Sequence, residues 1–198
     1  MTTYRTVFRD LLESAVGSSL PDWPRIAEAQ TMHGIEAGGA VFLQGVEHPF
    51  VYAVQTGLVK LSYLSEDGTE WVKSFASEGR FFASIAALQP KGSTSFMATA
   101  IEDSVLERLD YRLLSAAAER HLVWSHALHT LTMVFAARKE ARERDLLTLN
   151  AEKRYLAFRA AEPELAKRIP QKDLARHLGV TPVGLNRIVM RLRRHEGS

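Results

Sequence analysis

Cysteine is absent from the 198 residues. That excludes a disulfide scaffold, thiol catalysis, thiolate-held iron–sulfur clusters and cysteine-ligated zinc. No apolar run approaches the ~18 residues that a membrane span needs, so no membrane association is expected. The opening stretch, MTTYRTVFRDLLESAV, holds neither an apolar segment nor a cleavage site of the export type, and the expected compartment is the cytoplasm. A His-x-His pair, a Ser-His-Asp order, a P-loop and a Rossmann glycine set are also missing. A cupin-type enzyme would need His-x-His with a nearby carboxylate, because a catalytic metal takes several protein ligands. The expectation is a protein that is not an enzyme and holds no metal or cofactor. Histidines are scattered; His126 and His129 share a helix face at i, i+3 but read as polar residues beside a seam rather than as haem ligands.

What is present fits a soluble globular chain: 46% apolar and 24% charged residues. The formal net charge of +2 is unevenly placed. Residues 149–198 hold eleven Lys and Arg against five Asp and Glu, whereas residues 1–148 hold fourteen against eighteen. A basic C-terminal segment on a mildly acidic body suits a nucleic-acid-binding end, although a solvated helical surface would show the same imbalance.

Periodicity divides the chain. Residues 4–16 predict an amphipathic helix with Val7, Leu11, Leu12 and Val16 on one side. From about 31 to 109 short apolar runs alternate with glycines and acidic turns. Glu66-Asp-Gly-Thr between two such runs predicts a hairpin, and the whole stretch a small antiparallel barrel or roll. Residues 110–118 predict a short helix. Residues 120–148 lack Gly and Pro and predict one long helix. Along it Trp124, Leu128, Leu131 and Phe135 step by 4, 3 and 4, a heptad seam that predicts a homodimer interface; packing on the chain's own domain is the alternative. Residues 151–161 predict a further helix, ended by Pro163.

The most specific motif is residues 171–190, QKDLARHLGVTPVGLNRIVM. Ala175 is small where two helices must approach, Gly179 sits where a left-handed turn is needed, and Leu174, Leu178, Val180, Leu185 and Ile188 supply a shared core. Thr181 is the expected N-cap of the second helix, with Pro182 at N1. This is a helix-turn-helix. Arg187, Arg191 and Arg194 recur by 4 and 3 on the outward side, flanked by Asn186 and Met190. Such a row suits the major groove of double-stranded DNA, where Arg pairs with guanine and Asn with adenine. Val183 is placed to touch a thymine methyl. Arg168, Gln171 and Lys172 are the expected phosphate contacts, and His177 is expected on the surface of the first helix.

Roll, long helix and C-terminal helix-turn-helix, in that order, resemble the Crp/Fnr superfamily of bacterial transcription regulators. The resemblance rests on Gly39-Ala-Val-Phe-Leu-Gln-Gly, Tyr52-Ala-Val-Gln-Thr-Gly-Leu-Val-Lys-Leu, Glu78-Gly-Arg-Phe-Phe and Ile169-Pro-Gln-Lys-Asp-Leu-Ala-Arg-His-Leu-Gly-Val-Thr-Pro. It implies an α+β chain in three parts: a double-stranded β-helix resembling a cyclic-nucleotide-binding jelly roll (1–119), a dimerisation helix (120–148) and a helix-turn-helix domain with little or no wing (149–198). Cyclic-nucleotide-binding members carry a Gly-Glu pair that grips ribose and an Arg-Ser/Thr pair that neutralises phosphate. Ala83-Ser84 and Thr94-Ser95 stand at those places here. A buried phosphate without its arginine is an unpaired anion, so no response to cyclic AMP is expected. The function implied is a dimeric, sequence-specific DNA-binding regulator. The alternative is a small-molecule sensor in which Ser84, Thr94 and Ser95 hold an unusual effector.

Overall fold

The computed structural model describes residues 6–196. Helix α1 (Val7–Val16) buries Phe8 and Leu12 and ends at Gly17, which takes φ +67°; residues 4 and 5 of the expected helix lie outside the described residues. Its first amides are not left bare. Val7 N donates to Glu107 Oε1 at 2.6 Å and Phe8 N to Glu107 Oε2 at 2.9 Å, so a fully buried carboxylate closes the positive end of the helix. Helix α2 (Trp23–Ala29) follows.

Eight strands then build the roll: β1 (Thr31–Ile35), β2 (Ala40–Phe42), β3 (Phe50–Thr56), β4 (Leu58–Leu64), β5 (Glu70–Ser77), β6 (Phe81–Phe82), β7 (Met97–Ala100) and β8 (Ser104–Asp110). They form two four-stranded antiparallel sheets, ordered β1-β8-β3-β6 and β2-β7-β4-β5. The expected hairpin joins β4 to β5, with Gly68 at φ +80°. Aromatic rings fill the space between the sheets: Phe42 lies 5.6 Å from Phe96 and 6.3 Å from Phe82, and Tyr52 stacks on Phe82 at 5.3 Å. The register of β4 against β5 slips between Leu61 and Ser62, whose partners are Ser74 and Val72. The bulge leaves Lys73 unpaired and re-aims the strand there.

Helix α3 (Tyr111–Arg120) starts on Asp110, whose side chain accepts from Arg112 N. His121 is extended, at φ −134°, and separates α3 from α4 (Leu122–Thr148), a single 27-residue helix. Its first half is part of the protomer core. Trp124 is fully buried, and Leu128 and Leu131 pack beside it against Phe8, Leu12 and Leu114.

Four helices complete the chain: α5 (Ala151–Ala161), α6 (Pro163–Arg168), α7 (Gln171–Leu178) and α8 (Pro182–Glu196). The sequence reading stops a helix at Pro163 and does not anticipate α6, which that proline opens from its first turn. The core of this module continues into the roll: Tyr155, Leu165, Leu174, Leu178, Leu185 and Ile188 share a cluster with Leu58, Val72 and Phe75. Among the described residues no helix is long and apolar enough to cross a membrane.

Candidate nucleic-acid interface and effector cavity

The turn between α7 and α8 is built as its residues require. Ala175 is completely buried where the helices meet. Gly179 takes φ +70°, a left-handed conformation that a side chain would strain, and its N–H closes on the Arg176 carbonyl. Thr181 Oγ1 accepts from Gly184 N at 3.1 Å, the N-cap bond. Leu185 and Ile188 turn inward, so Val183, Asn186, Arg187, Met190, Arg191 and Arg194 stand exposed, with Thr181 at the helix start. Gln171 and Lys172 are exposed at the first turn of α7. Arg191 is tied to Glu152 of α5 by an ion pair.

Other expected site residues sit elsewhere. Arg168 is not aimed at the surface that α8 presents. Its guanidinium lies between two carboxylates of the roll, 2.8 Å from Glu78 and 2.6 Å from Glu102. The hydrogen bonds from Arg168 hold the Glu78 carboxyl down at about 2. The partners lie 90 and 66 residues away, which is why the sequence gave no sign of them. His177 is not a surface residue: it is 8% exposed and packs against Phe75 and Phe158 at 5.2 and 5.3 Å. Burial, then the nearby Arg142, pushes its pKa down to about 3. Its Nδ1 lies toward the Val72 carbonyl, outside normal hydrogen-bond geometry.

The seam expected for a dimer faces inward instead. Trp124 Nε1 donates to the Pro21 carbonyl at 2.8 Å, and the indole stacks on Trp23. Leu128 and Leu131 face the same core, and Phe135 meets Phe81 at 6.0 Å. The side of α4 left open carries Leu122, His126, His129, Met133 and Ala136, spaced 4, 3, 4 and 3. That stripe has the right period, but its two histidines hide it from a search for apolar heptads.

The three residues expected to hold an effector are spent on the backbone. Thr94 Oγ1 donates to the Leu43 carbonyl at 2.6 Å and accepts from Val46 N at 3.1 Å. Ser84 Oγ accepts from Ser95 N at 3.0 Å and lies 3.4 Å from the Ser95 hydroxyl. Ser84 and Thr94 are each 2% exposed. A cavity of about 670 Å³ opens instead between the β4–β5 hairpin, α4 and α7. Its walls are mostly aromatic and aliphatic, and basic side chains ring it. Lys73, freed by the bulge, reaches across it: its Nζ lies 4.4 Å from the centre of the Phe96 ring and 5.3 Å from that of Phe135. The sequence reading missed Lys73 and Arg142, which only the register slip and the passage of α4 over β5 bring together.

A third feature ties the helical module to the roll. Lys60 of β4 lies 2.8 Å from Glu70 and 3.1 Å from Asp173 of α7, and Arg176 pairs with Glu70 in turn. Arg80 pairs with Glu162 at 2.5 Å. Arg154 of α5 donates to the carbonyls of Leu149 and Leu178, at 2.7 and 3.0 Å, where α4 and α7 end.

A two-sheet roll carrying a long helix and an α7–α8 pair defines the class. Residues 33–121 match the family model of the cyclic nucleotide-binding domain. The whole described chain has the fold of the Crp/Fnr regulators, in keeping with the resemblance read from the sequence. FixK2 from Bradyrhizobium japonicum is 21% identical with a TM-score of 0.76, over 84% of this chain and 86% of that one. CLP from Xanthomonas campestris, described as a c-di-GMP responsive global regulator, is 17% identical with a TM-score of 0.69, over 88% and 91%. A CooA variant from Carboxydothermus hydrogenoformans is 16% identical with a TM-score of 0.71, over 93% and 84%. No curated protein sequence matches the chain.

Proposed function

We propose that this protein is a sequence-specific, double-stranded-DNA-binding transcription regulator that works as a homodimer in the cytoplasm. One observation carries the reading: α8 buries Leu185 and Ile188 and exposes Asn186, Arg187, Met190 and Arg191 along its other side. A helix of that kind fits a major groove with Arg187 on guanine and Asn186 on adenine. Gln171 and Lys172 reach flanking phosphates, while Arg168 is withdrawn from that role by its two carboxylates. The open stripe of α4 from Leu122 to Ala136 carries the partner subunit, in place of the buried Trp124 seam. Two copies of α8 then read half-sites about 34 Å apart on a near-palindrome. Selection of duplex DNA from a random pool by the purified protein tests this. A two-fold-symmetric site is the expected outcome; retention of no sequence, even at low ionic strength, refutes it.

The regulator does not respond to cyclic AMP. Its phosphate cassette has no arginine, and its serine and threonine hydroxyls are already committed to the backbone. Micromolar binding of cyclic AMP by calorimetry would overturn this. The second reading, a sensor of some other small molecule, is favoured by the cavity beside α4 and is compatible with the first.

A further inference from the structure

The cavity between β5, α4 and α7 is unusual in its charge. Six basic side chains line it: Lys73, Arg80, Arg138, Lys139, Arg142 and Arg176. Glu143 is the one acidic residue in its walls. Arg80 and Arg176 are neutralised by Glu162 and Glu70. Among the described residues the other four have no carboxylate partner. Two of these, Lys73 and Arg142, are half-buried. Arg142 spends its hydrogen bonds on neutral acceptors only: Val72 O at 3.1 Å, His177 O at 2.8 Å and His177 Nε2 at 3.2 Å. Half-buried cations without counter-charge are costly, and the environment shows it. Burial, then Lys139 and Arg142, holds the Lys73 ammonium down at about 8. Apolar walls around uncompensated positive charge complement a guest that is greasy and negative.

We infer that this cavity binds a hydrophobic organic anion, its apolar body on Phe81, Phe82 and Phe135 and its acidic head between Lys73 and Arg142, and that Arg142 reports its presence to α7. The space is large enough for a molecule of two fused rings or a medium acyl chain. The reporting step follows from geometry. The Arg142 guanidinium is the link that α4 extends both to β5, through the Val72 carbonyl, and to the C-terminal end of α7, through His177. An anionic head that recruits Arg142 takes those bonds away and loosens α7 from the roll. Only this step rests on the regulator reading; occupancy of the cavity stands apart from it.

The test uses the full chain without DNA. 1-Naphthylacetate is titrated calorimetrically beside its neutral counterpart, 1-naphthylacetamide, and beside cyclic AMP. The acid is expected to bind at least about tenfold more tightly than the amide, the worth of one desolvated charge-assisted contact. Lys73→Met, which keeps the length of the side chain, should lose about tenfold. If that variant does not fold, Arg138→Met/Lys139→Met keeps the test open, since both residues are exposed; about threefold is expected there. Equal binding of acid and amide, or preference for cyclic AMP, overturns the ligand class. Hydrogen exchange then reads the coupling: naphthylacetate should speed exchange of the α7 amides in the parent protein and leave it unchanged in Arg142→Met. No change in the parent with the acid bound overturns the role of Arg142. Absence of DNA binding in a separate assay would refute the proposed function and leave the titration result standing.

Discussion

Trp23 and Trp124 stack inside one protomer, their ring centroids 6.0 Å apart and their planes inclined by 13°. The indole of Trp124 is fully buried and hydrogen-bonded to Pro21, so it stabilises the protomer rather than a dimer. Trp124→Ala should cost about 3–5 kcal/mol of protomer stability, read by denaturant unfolding. Met133→Glu, on the open side of α4, should leave protomer melting nearly unchanged and shift the species seen by sedimentation from dimer to monomer. A dimer that survives Met133→Glu at micromolar concentration would remove the stripe from the interface.

The same pair shows what periodicity can and cannot reveal. Steps of 4, 3 and 4 correctly mark Trp124, Leu128 and Leu131 as one apolar face of a helix. They do not say whether a partner or the chain's own α1 and α2 cover it. The α7–α8 turn was legible because its requirements are local: a small residue at Ala175, a left-handed Gly179, a capping Thr181 within a few positions. Arg168 and His177 were misplaced because their surroundings come from strands far away in sequence. The roll itself was readable from glycine-punctuated apolar runs, but the bulge that frees Lys73 was not, since one extra residue leaves no mark in the composition of β5.

Glu107 offers a stability test free of the DNA question. Its carboxylate accepts the amides of Val7 and Phe8 from the middle of β8, completely shielded from water. Glu107→Ala strands two donors at a buried helix start and should cost about 2–4 kcal/mol. Glu107→Gln, which keeps an acceptor, should cost less. Equal losses in thermal unfolding would mean that volume, not hydrogen bonding, is what Glu107 supplies.

Acid should act on the joint between roll and helical module in two separable windows. His177 has its pKa pushed from 6.5 to about 3 by burial and by Arg142. The unfolded chain therefore takes up the proton first, and stability falls as pH drops from about 6.5 toward 3. At pH 5 the loss is on the order of 2 kcal/mol. Glu78, held from 4.5 to about 2 by Arg168, contributes stability above 4.5 that disappears as pH falls toward 2. Melting temperatures across this range should show a flattened upper window in His177→Gln and a flattened lower one in Arg168→Met. A parent slope retained between pH 6.5 and 5 in His177→Gln would show that the imidazole titrates normally.

The division of labour on DNA follows from where four cationic side chains stand. Arg187 projects from the exposed side of α8, so Arg187→Ala should cost about 1–3 kcal/mol on the selected site and relax preference at one base pair. Lys172 is exposed on the first turn of α7, and Lys172→Ala should weaken every sequence alike and shallow the salt dependence by about one ion. Arg191 gives part of its charge to Glu152, so Glu152→Gln should strengthen binding by releasing it. Arg168 is bound to Glu78 and Glu102, and Arg168→Met should leave the salt slope as it is while lowering the melting temperature. Fluorescence anisotropy at several salt concentrations, on the selected site and on a scrambled duplex, reads all four. If Arg187→Ala and Lys172→Ala lose affinity equally on both duplexes, α8 does not read bases.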